Sequence, residues 1–111
     1  MKLSEKNCKP CEGGVPKLNS IEIQSYNSQL KQPWLVVDEI KISKDFNFKD
    51  FLQTMSFVNK VADLAEAEGH HPVMHVYYSK VQIELWTHAI IGLSENDFIL
   101  AAKTDELFEN L

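Results

Sequence analysis

Residues 48–68, FKDFLQTMSFVNKVADLAEAE, carry the clearest helical pattern in this chain. Asn47 is expected to cap the N-terminus of this helix, with Asp50 in the first turn. Gly69 is expected to end it in a left-handed conformation, shortly before Pro72 forbids continuation. Apolar residues recur at steps of three and four, which predicts one apolar stripe. That stripe consists of Phe48, Phe51, Leu52, Met55, Val58, Ala62 and Ala65.

Two strand pairs flank the long helix. Residues 34–37 and 40–46 carry apolar side chains on either side of Asp38-Glu39, which predicts a hairpin with a tight turn. Residues 73–78 and 81–87 form a second hairpin through Ser79-Lys80. A shorter helix is expected over about Asn19–Leu30, capped by Asn19 or Ser20, and a last helix begins at Ser94. The order α-β-β-α-β-β-α predicts an α+β fold, a four-stranded antiparallel sheet with helices packed on one face.

The size and charge of the chain limit its function. Its 111 residues suffice for one domain, so we expect a flexible leader over residues 1–16 and a single domain over residues 17–111. The formal net charge of -5, without a cluster of Lys and Arg, argues against nucleic-acid binding. The sequence contains neither an apolar stretch long enough for a bilayer nor a signal-peptide core, so a cytoplasmic location without membrane attachment is expected.

The two cysteines form the sequence Cys8-Lys-Pro-Cys11. A structural zinc site usually needs four ligands, and this chain has no second cysteine pair. A redox dithiol needs a preceding strand and a following helix, whereas this pair is followed by Gly13, Gly14 and Pro16. We therefore interpret both as ordinary thiols in a loop.

Four histidines lie between residues 70 and 88, and histidine can exchange a proton near neutral pH. The start of one antiparallel strand lies beside the end of the next, so His70, His71 and His88 should meet at one sheet edge. Glu66 precedes His70 by about one helical turn, and Asp97 at the start of the last helix could also approach. His75, in a half-exposed strand, is interpreted as an incidental surface histidine.

The residues alone leave three interpretations of this cluster open. Adjacent strand residues face opposite sides, so His70 and His71 can share one pocket only if residues 69–72 are irregular. Acid–base catalysis fits the histidines. Three histidines and a carboxylate also fit a zinc or non-haem iron site. Incidental histidines are the third interpretation.

The pattern Glu66-Ala-Glu-Gly-His70-His71-Pro72, followed by Tyr78, Thr87-His88 and Asp97, resembles the signature of the pterin-4a-carbinolamine dehydratases. The likeness extends back through the long helix to Trp34. It implies an α+β hydro-lyase that needs neither metal nor cofactor. This enzyme converts 4a-hydroxytetrahydropterin to quinonoid dihydropterin and so recycles the pterin of aromatic amino acid hydroxylases. A homodimer or homotetramer is expected.

The resemblance also implies roles for individual residues. His70 and His88 match the acid–base pair, and His71 matches a third catalytic histidine that orients the substrate. Glu66 and Asp97 support the imidazoles. The side chains expected to bind substrate are His71, Pro72, Met74 and Thr87.

Some features depart from the family pattern. Val73 and Met74 stand where an acidic residue and a tryptophan are common, and Asn96 replaces a basic residue. Trp86 stands where relatives often have a small residue, so it is expected to be partly exposed or in a subunit contact. Some animal relatives bind a transcription factor, so the alternative function is an interaction module that acts as a dimerisation cofactor.

Overall fold

The computed structural model describes residues 1–10 and 15–111. Within them the strands form one antiparallel sheet in the order β1-β2-β4-β3, with the helices packed on one face. The predicted α+β class and element order are confirmed. In chain order the elements are α1 (Ser20–Asn27), β1 (Leu35–Val37), β2 (Lys41–Asn47), α2 (Phe51–Glu68), β3 (Val73–Val76), β4 (Lys80–Leu85) and α3 (Glu95–Glu109).

The two faces of the sheet differ because side chains alternate along each strand. On the helix-covered face, β4 contributes three fully buried residues, Val81, Ile83 and Leu85. The opposite face carries polar residues such as Lys41 and Glu84 and is open to solvent in the single chain. The site described below lies where the segment that follows β4 meets the end of α2 and the start of α3.

The long helix begins three residues later than predicted. Its N-cap is Asp50, whose carboxylate accepts a hydrogen bond from the backbone N–H of Gln53. Asn47 instead ends strand β2, and the backbone N–H of Phe48 donates to the Ser79 carbonyl. Tertiary pairing with the second hairpin therefore prevents the helix from starting at Phe48. The predicted C-terminus is confirmed, since Gly69 follows Glu68 with φ of 66°.

The predicted apolar stripe of α2 was wrong in its orientation. The exposed fractions of Phe51 and Leu52 are 51% and 82%, although both belonged to the predicted stripe. The helix carries two overlapping sets of apolar residues, and the set that includes Phe57 packs on the sheet. Residues of α2 that are buried are Thr54, Phe57, Val61 and Ala65.

The two hairpin turns differ in how well the sequence located them. Asp38 and Glu39 have positive φ of 52° and 57°, and the N–H of Ile40 donates to the carbonyl of Val37, so the predicted tight turn at Asp38-Glu39 is confirmed. In the second hairpin, the N–H of Tyr77 donates to the carbonyl of Lys80. Tyr78 and Ser79 therefore form the turn, one residue earlier than predicted.

Residues 1–10, which belong to the predicted leader, lie against α3. Leu3 is buried, the Lys6 Nζ lies 2.8 Å from a Glu95 carboxylate oxygen, and the Cys8 N–H donates to Glu68. These contacts attach the segment to the domain, and its flexibility stays a prediction. Cys11 lies outside the described residues, so its predicted character as an ordinary thiol stays untested.

In the described part of the chain, no helix combines the length and apolar character needed to cross a membrane.

Candidate active site

A buried carboxylate, Asp97, lies at the centre of the candidate site. Its Oδ1 lies 2.6 Å from Nε2 of His70, and both residues are shielded from solvent, with exposed fractions of 0% and 5%. Gly69 ends α2 in a left-handed conformation and turns the chain so that His70 points inward. Asp97 comes from the first turn of α3. The pair therefore joins the end of one helix to the start of another.

Thr87 and Ser94 fix the second oxygen of the same carboxylate. The Thr87 hydroxyl donates to Oδ2 of Asp97 at 2.8 Å, and the Ser94 backbone N–H donates to it at 3.0 Å. The two hydroxyl oxygens of Thr87 and Ser94 lie 2.7 Å apart. Ser94 is also the N-cap residue of α3, so Asp97 is held by the local geometry of the helix start. Both carboxylate oxygens are thus fixed.

His71 points away from His70. Its Nε2 lies 2.5 Å from a carboxylate oxygen of Glu66, and both side chains are largely exposed. Residues 70–72 have no regular secondary structure, which fits the predicted irregular segment. The predicted link between Glu66 and the histidine cluster is therefore made through His71.

His88 lies close to this arrangement because it directly follows Thr87, whose hydroxyl shares Asp97 with His70. It begins a short 3-10 helix, His88–Ile90, and is exposed. Its ring centroid lies 4.4 Å from that of Trp86. His70 and Thr87 therefore contact the same carboxylate, and His88 is the next residue in the chain after Thr87.

The residues expected to bind substrate lie in different environments. Pro72 is half-buried beside the exposed His71. Met74 is paired with Ile83 and packs against the core on the helix-covered face. Thr87 is fully buried, and its hydroxyl is engaged with Asp97 and Ser94. Direct contact of these side chains with substrate stays a prediction.

His75 lies apart from the Asp97 arrangement. It is exposed on the open sheet face, and its Nε2 lies 3.0 Å from Oε1 of Glu84. Among the described residues, no three His, Cys, Asp or Glu side chains converge as the ligands of one metal ion.

Sequence reasoning missed the contribution of Ser94 and of the N-terminal segment. The spacing Ser94-x-x-Asp97 is that of a capping box with an acidic third residue, and this signal could have located Ser94. The N-terminal contacts had no such signal, because they join residues far apart in the chain. The Lys9 backbone exchanges two hydrogen bonds with the Asn96 side chain, next to Asp97. The Cys8 backbone N–H donates a hydrogen bond to the carboxylate of Glu68, which lies two residues before His70.

The thiol of Cys8 provides a test of this N-terminal packing. Burial, followed by the nearby Glu68 carboxylate, raises the pKa of Cys8 to about 12. Such a thiol holds about 10³-fold less thiolate at pH 8 than one at the ordinary value of 9.0. In a Cys11→Ser variant, we expect iodoacetamide to modify Cys8 about 10²-fold more slowly in the native protein than in urea. Equal rates, measured by mass spectrometry, would show that the segment is not packed on the domain in solution.

The fold and the site define a class, namely α+β proteins in which a buried histidine–carboxylate pair joins two helix ends beside an open antiparallel sheet. Residues 16–107 match the family model described as pterin 4 alpha carbinolamine dehydratase. The chain belongs to this family, and the sequence-based resemblance is confirmed.

Relatives and solved structures agree with this membership. A Nitrosomonas europaea protein assigned by name to the pterin-4-alpha-carbinolamine dehydratases is 52% identical over 108 residues, which cover 97% of this chain and 95% of that protein. A crystal structure of a transcriptional coactivator/pterin dehydratase from Brucella melitensis is similar with a TM-score of 0.77 and 31% identity, covering 83% of this chain and 98% of that one. A pterin dehydratase-like protein identified as a RuBisCO assembly factor of the alpha-carboxysome gives a TM-score of 0.61 at 26% identity, covering 70% and 92%.

Proposed function

We propose that this protein is a hydro-lyase that dehydrates 4a-hydroxytetrahydropterin to quinonoid dihydropterin. The observation that carries this proposal is the buried Asp97 carboxylate, which contacts His70 and the Thr87 hydroxyl immediately before His88. Family membership supplies the substrate class. The geometry supplies two histidines in the same region, one buried on a carboxylate and one exposed.

The reaction needs two proton transfers in opposite directions. The C4a hydroxyl must gain a proton so that it leaves as water when the C–O bond breaks. The proton on N5 must be removed so that its electron pair can form the C4a=N5 double bond. One protonated and one neutral imidazole, His70 and His88 in either order, balance these transfers. Each transfer typically contributes about 10²–10⁴-fold to the rate.

Asp97 acts through His70. A carboxylate that accepts a hydrogen bond from an imidazole fixes the ring and stabilises its protonated form. Thr87 and the Ser94 N–H hold the second carboxylate oxygen, so the carboxylate cannot rotate away from the ring. We therefore assign Asp97 and Thr87 as positioning residues.

His71 and Glu66 form the exposed side of the proposed site. Their exposed pair can orient the polar edge of the substrate, with Pro72 beside it. Met74 shapes the site from the core side of β3, where it packs on buried residues. After a two-electron reduction by a separate reductase, the product would rejoin the tetrahydropterin pool that serves aromatic amino acid hydroxylases, in the cytoplasm.

The decisive experiment follows the decay of a 4a-hydroxytetrahydropterin, generated in situ, with and without protein. The wild-type protein should accelerate dehydration, and the double variant His70→Ala/His88→Ala should return it to the uncatalysed rate. His75→Gln is the matched control, because His75 lies apart from the Asp97 arrangement and a glutamine amide can still donate a hydrogen bond to Glu84, so the rate should be unchanged. Catalysis by a folded double variant would refute the proposed roles, and an inactive wild-type protein would refute the enzyme assignment.

Exposed apolar residues favour a second candidate, an association surface. Phe51 and Leu52 of α2 are largely exposed, as is Tyr78, whose carbonyl accepts a hydrogen bond from Thr54 of the same helix. These side chains fit contacts with further copies in a homodimer or homotetramer, or with a transcription factor whose dimer the protein would stabilise. The double variant His70→Ala/His88→Ala separates the candidates. It should lose catalysis, whereas its molecular mass in light scattering should equal that of the wild-type assembly, because the association surface is unchanged.

A further inference from the structure

Trp86 is a large aromatic side chain on the polar, open face of the sheet. It directly follows β4, and its side chain is only half-buried. Glu84 lies two residues earlier on the same face, and Lys41 lies at the start of the neighbouring strand β2. Packing of the core does not require an indole there, because the core residues of β4 are on the opposite face.

The contacts of Trp86 connect it to the proposed site. Its ring centroid lies 4.4 Å from that of His88, with an angle of 43° between the planes. On the other side, the Lys41 Nζ lies 5.9 Å from the indole centroid. The same ammonium lies 2.8 Å from a carboxylate oxygen of Glu84. The lysine is therefore held near the indole by an ion pair, and the indole is held beside the proposed acid–base histidine.

We propose that Trp86 is the aromatic surface on which the flat 2-amino-4-oxo portion of the pterin packs. This inference rests on the proposed function, since it places the substrate beside His88. The conjugated 2-amino-4-oxo portion of the pterin is flat, although C4a of the 4a-hydroxy substrate is tetrahedral. A flat portion of this kind packs on an aromatic side chain, and Trp offers the largest such surface. Met74, a residue also expected near the substrate, packs on the core side of β3 and cannot supply this surface.

The Lys41–Glu84 pair adds specificity to this surface. The hydrogen bond from Lys41 lowers the pKa of Glu84, which keeps the carboxylate ionised beside the indole at neutral pH. A pterin whose ring packs on Trp86 would lie beside these two charged groups. Polar groups of a pterin on this surface would therefore meet a carboxylate whose two oxygens already contact Lys41 and His75.

The test compares three substitutions by binding of a non-reacting 7,8-dihydropterin in calorimetry and by steady-state kinetics. Trp86→Ser should raise the Kd and KM about 3–10-fold, as expected for the loss of an aromatic contact, and leave kcat within about threefold. Trp86→Phe, which keeps an aromatic ring, should restore most of the affinity. Tyr77→Ser is the matched control, because Tyr77 is an exposed aromatic with a lysine, Lys80, 4.7 Å from its ring centroid.

The outcomes separate this inference from the proposed function. A Kd of Trp86→Ser within about twofold of wild type would overturn the stacking role, even if the protein is an active dehydratase. Equal losses of affinity in Trp86→Ser and Trp86→Phe would also overturn the stacking role, because an aromatic ring at this position would then not contribute to binding. If neither the wild type nor any variant dehydrates the 4a-hydroxypterin, the enzyme assignment fails. The stacking role of Trp86 would still hold if Trp86→Ser alone weakens binding of the dihydropterin.

Discussion

Asp97→Asn is expected to lower kcat for dehydration by about 10²–10⁴-fold, with a much smaller change in KM. The carboxylate is fully buried. One of its oxygens contacts Nε2 of His70, and the other accepts hydrogen bonds from the Thr87 hydroxyl and the Ser94 N–H. An asparagine has the same shape but only one oxygen, so it can accept hydrogen bonds on only one of these two sides.

The physical reason is the loss of charge and the change of donor pattern. If the amide oxygen that the substitution introduces keeps the bonds from Thr87 and Ser94, the accompanying NH₂ group faces Nε2 of His70. The imidazole would then have to present an unprotonated Nε2, the opposite tautomer, without a negative charge to stabilise its protonated form. The substitution should therefore reduce proton transfer more than substrate binding.

Asp105→Asn is the matched control for this experiment. Asp105 is also a buried carboxylate on α3, and it accepts hydrogen bonds from the Trp34 indole N–H and the Lys44 ammonium. Its replacement should lower thermal stability but leave kcat unchanged at temperatures where the variant is folded. If both substitutions reduce kcat equally, the effect of Asp97 is a general consequence of disturbing α3 and not of His70.

The proximity of the residues in the candidate site could be predicted because hairpin geometry is local. A hairpin brings the residues before its first strand close to those after its second, and this alone predicts that His70 lies near Thr87-His88. The capping box of Ser94 and Asp97 is also local, so the sequence carries a signal for the start of α3. The contact of His70 with Asp97 required the packing of α2 against α3, which no spacing rule specifies.

Other features depended on competition between similar local signals. Asn47 and Asp50 are both good capping residues, and the pairing of Asn47 with Lys80 in the sheet decided between them. Nor could the sequence show that His70 turns inward and His71 outward, because this depends on the left-handed Gly69 and on the partners each ring finds. The N-terminal contacts with Glu68 and Asn96 are equally long-range.

Phe57→Ala tests which side of α2 faces the core, and it is expected to destabilise the protein by about 3–5 kcal/mol. The ring is fully buried, with centroids of Phe46, Phe48 and Phe108 at 4.9, 5.1 and 5.9 Å. Truncation would remove these contacts and leave a cavity that the sheet cannot close. Chemical denaturation should show the loss as a lower midpoint.

Phe51→Ala is the matched control, since it removes the same atoms from the same helix at a position 51% exposed. It should change the free energy of unfolding by less than about 1 kcal/mol in the isolated chain. If the exposed face of α2 associates with further copies, the effect of Phe51→Ala should grow with protein concentration, because subunit binding stabilises only the folded state. The core substitution should be costly at every concentration. Equal costs for both phenylalanines in dilute solution would mean that α2 is rotated about its axis relative to the packing described above.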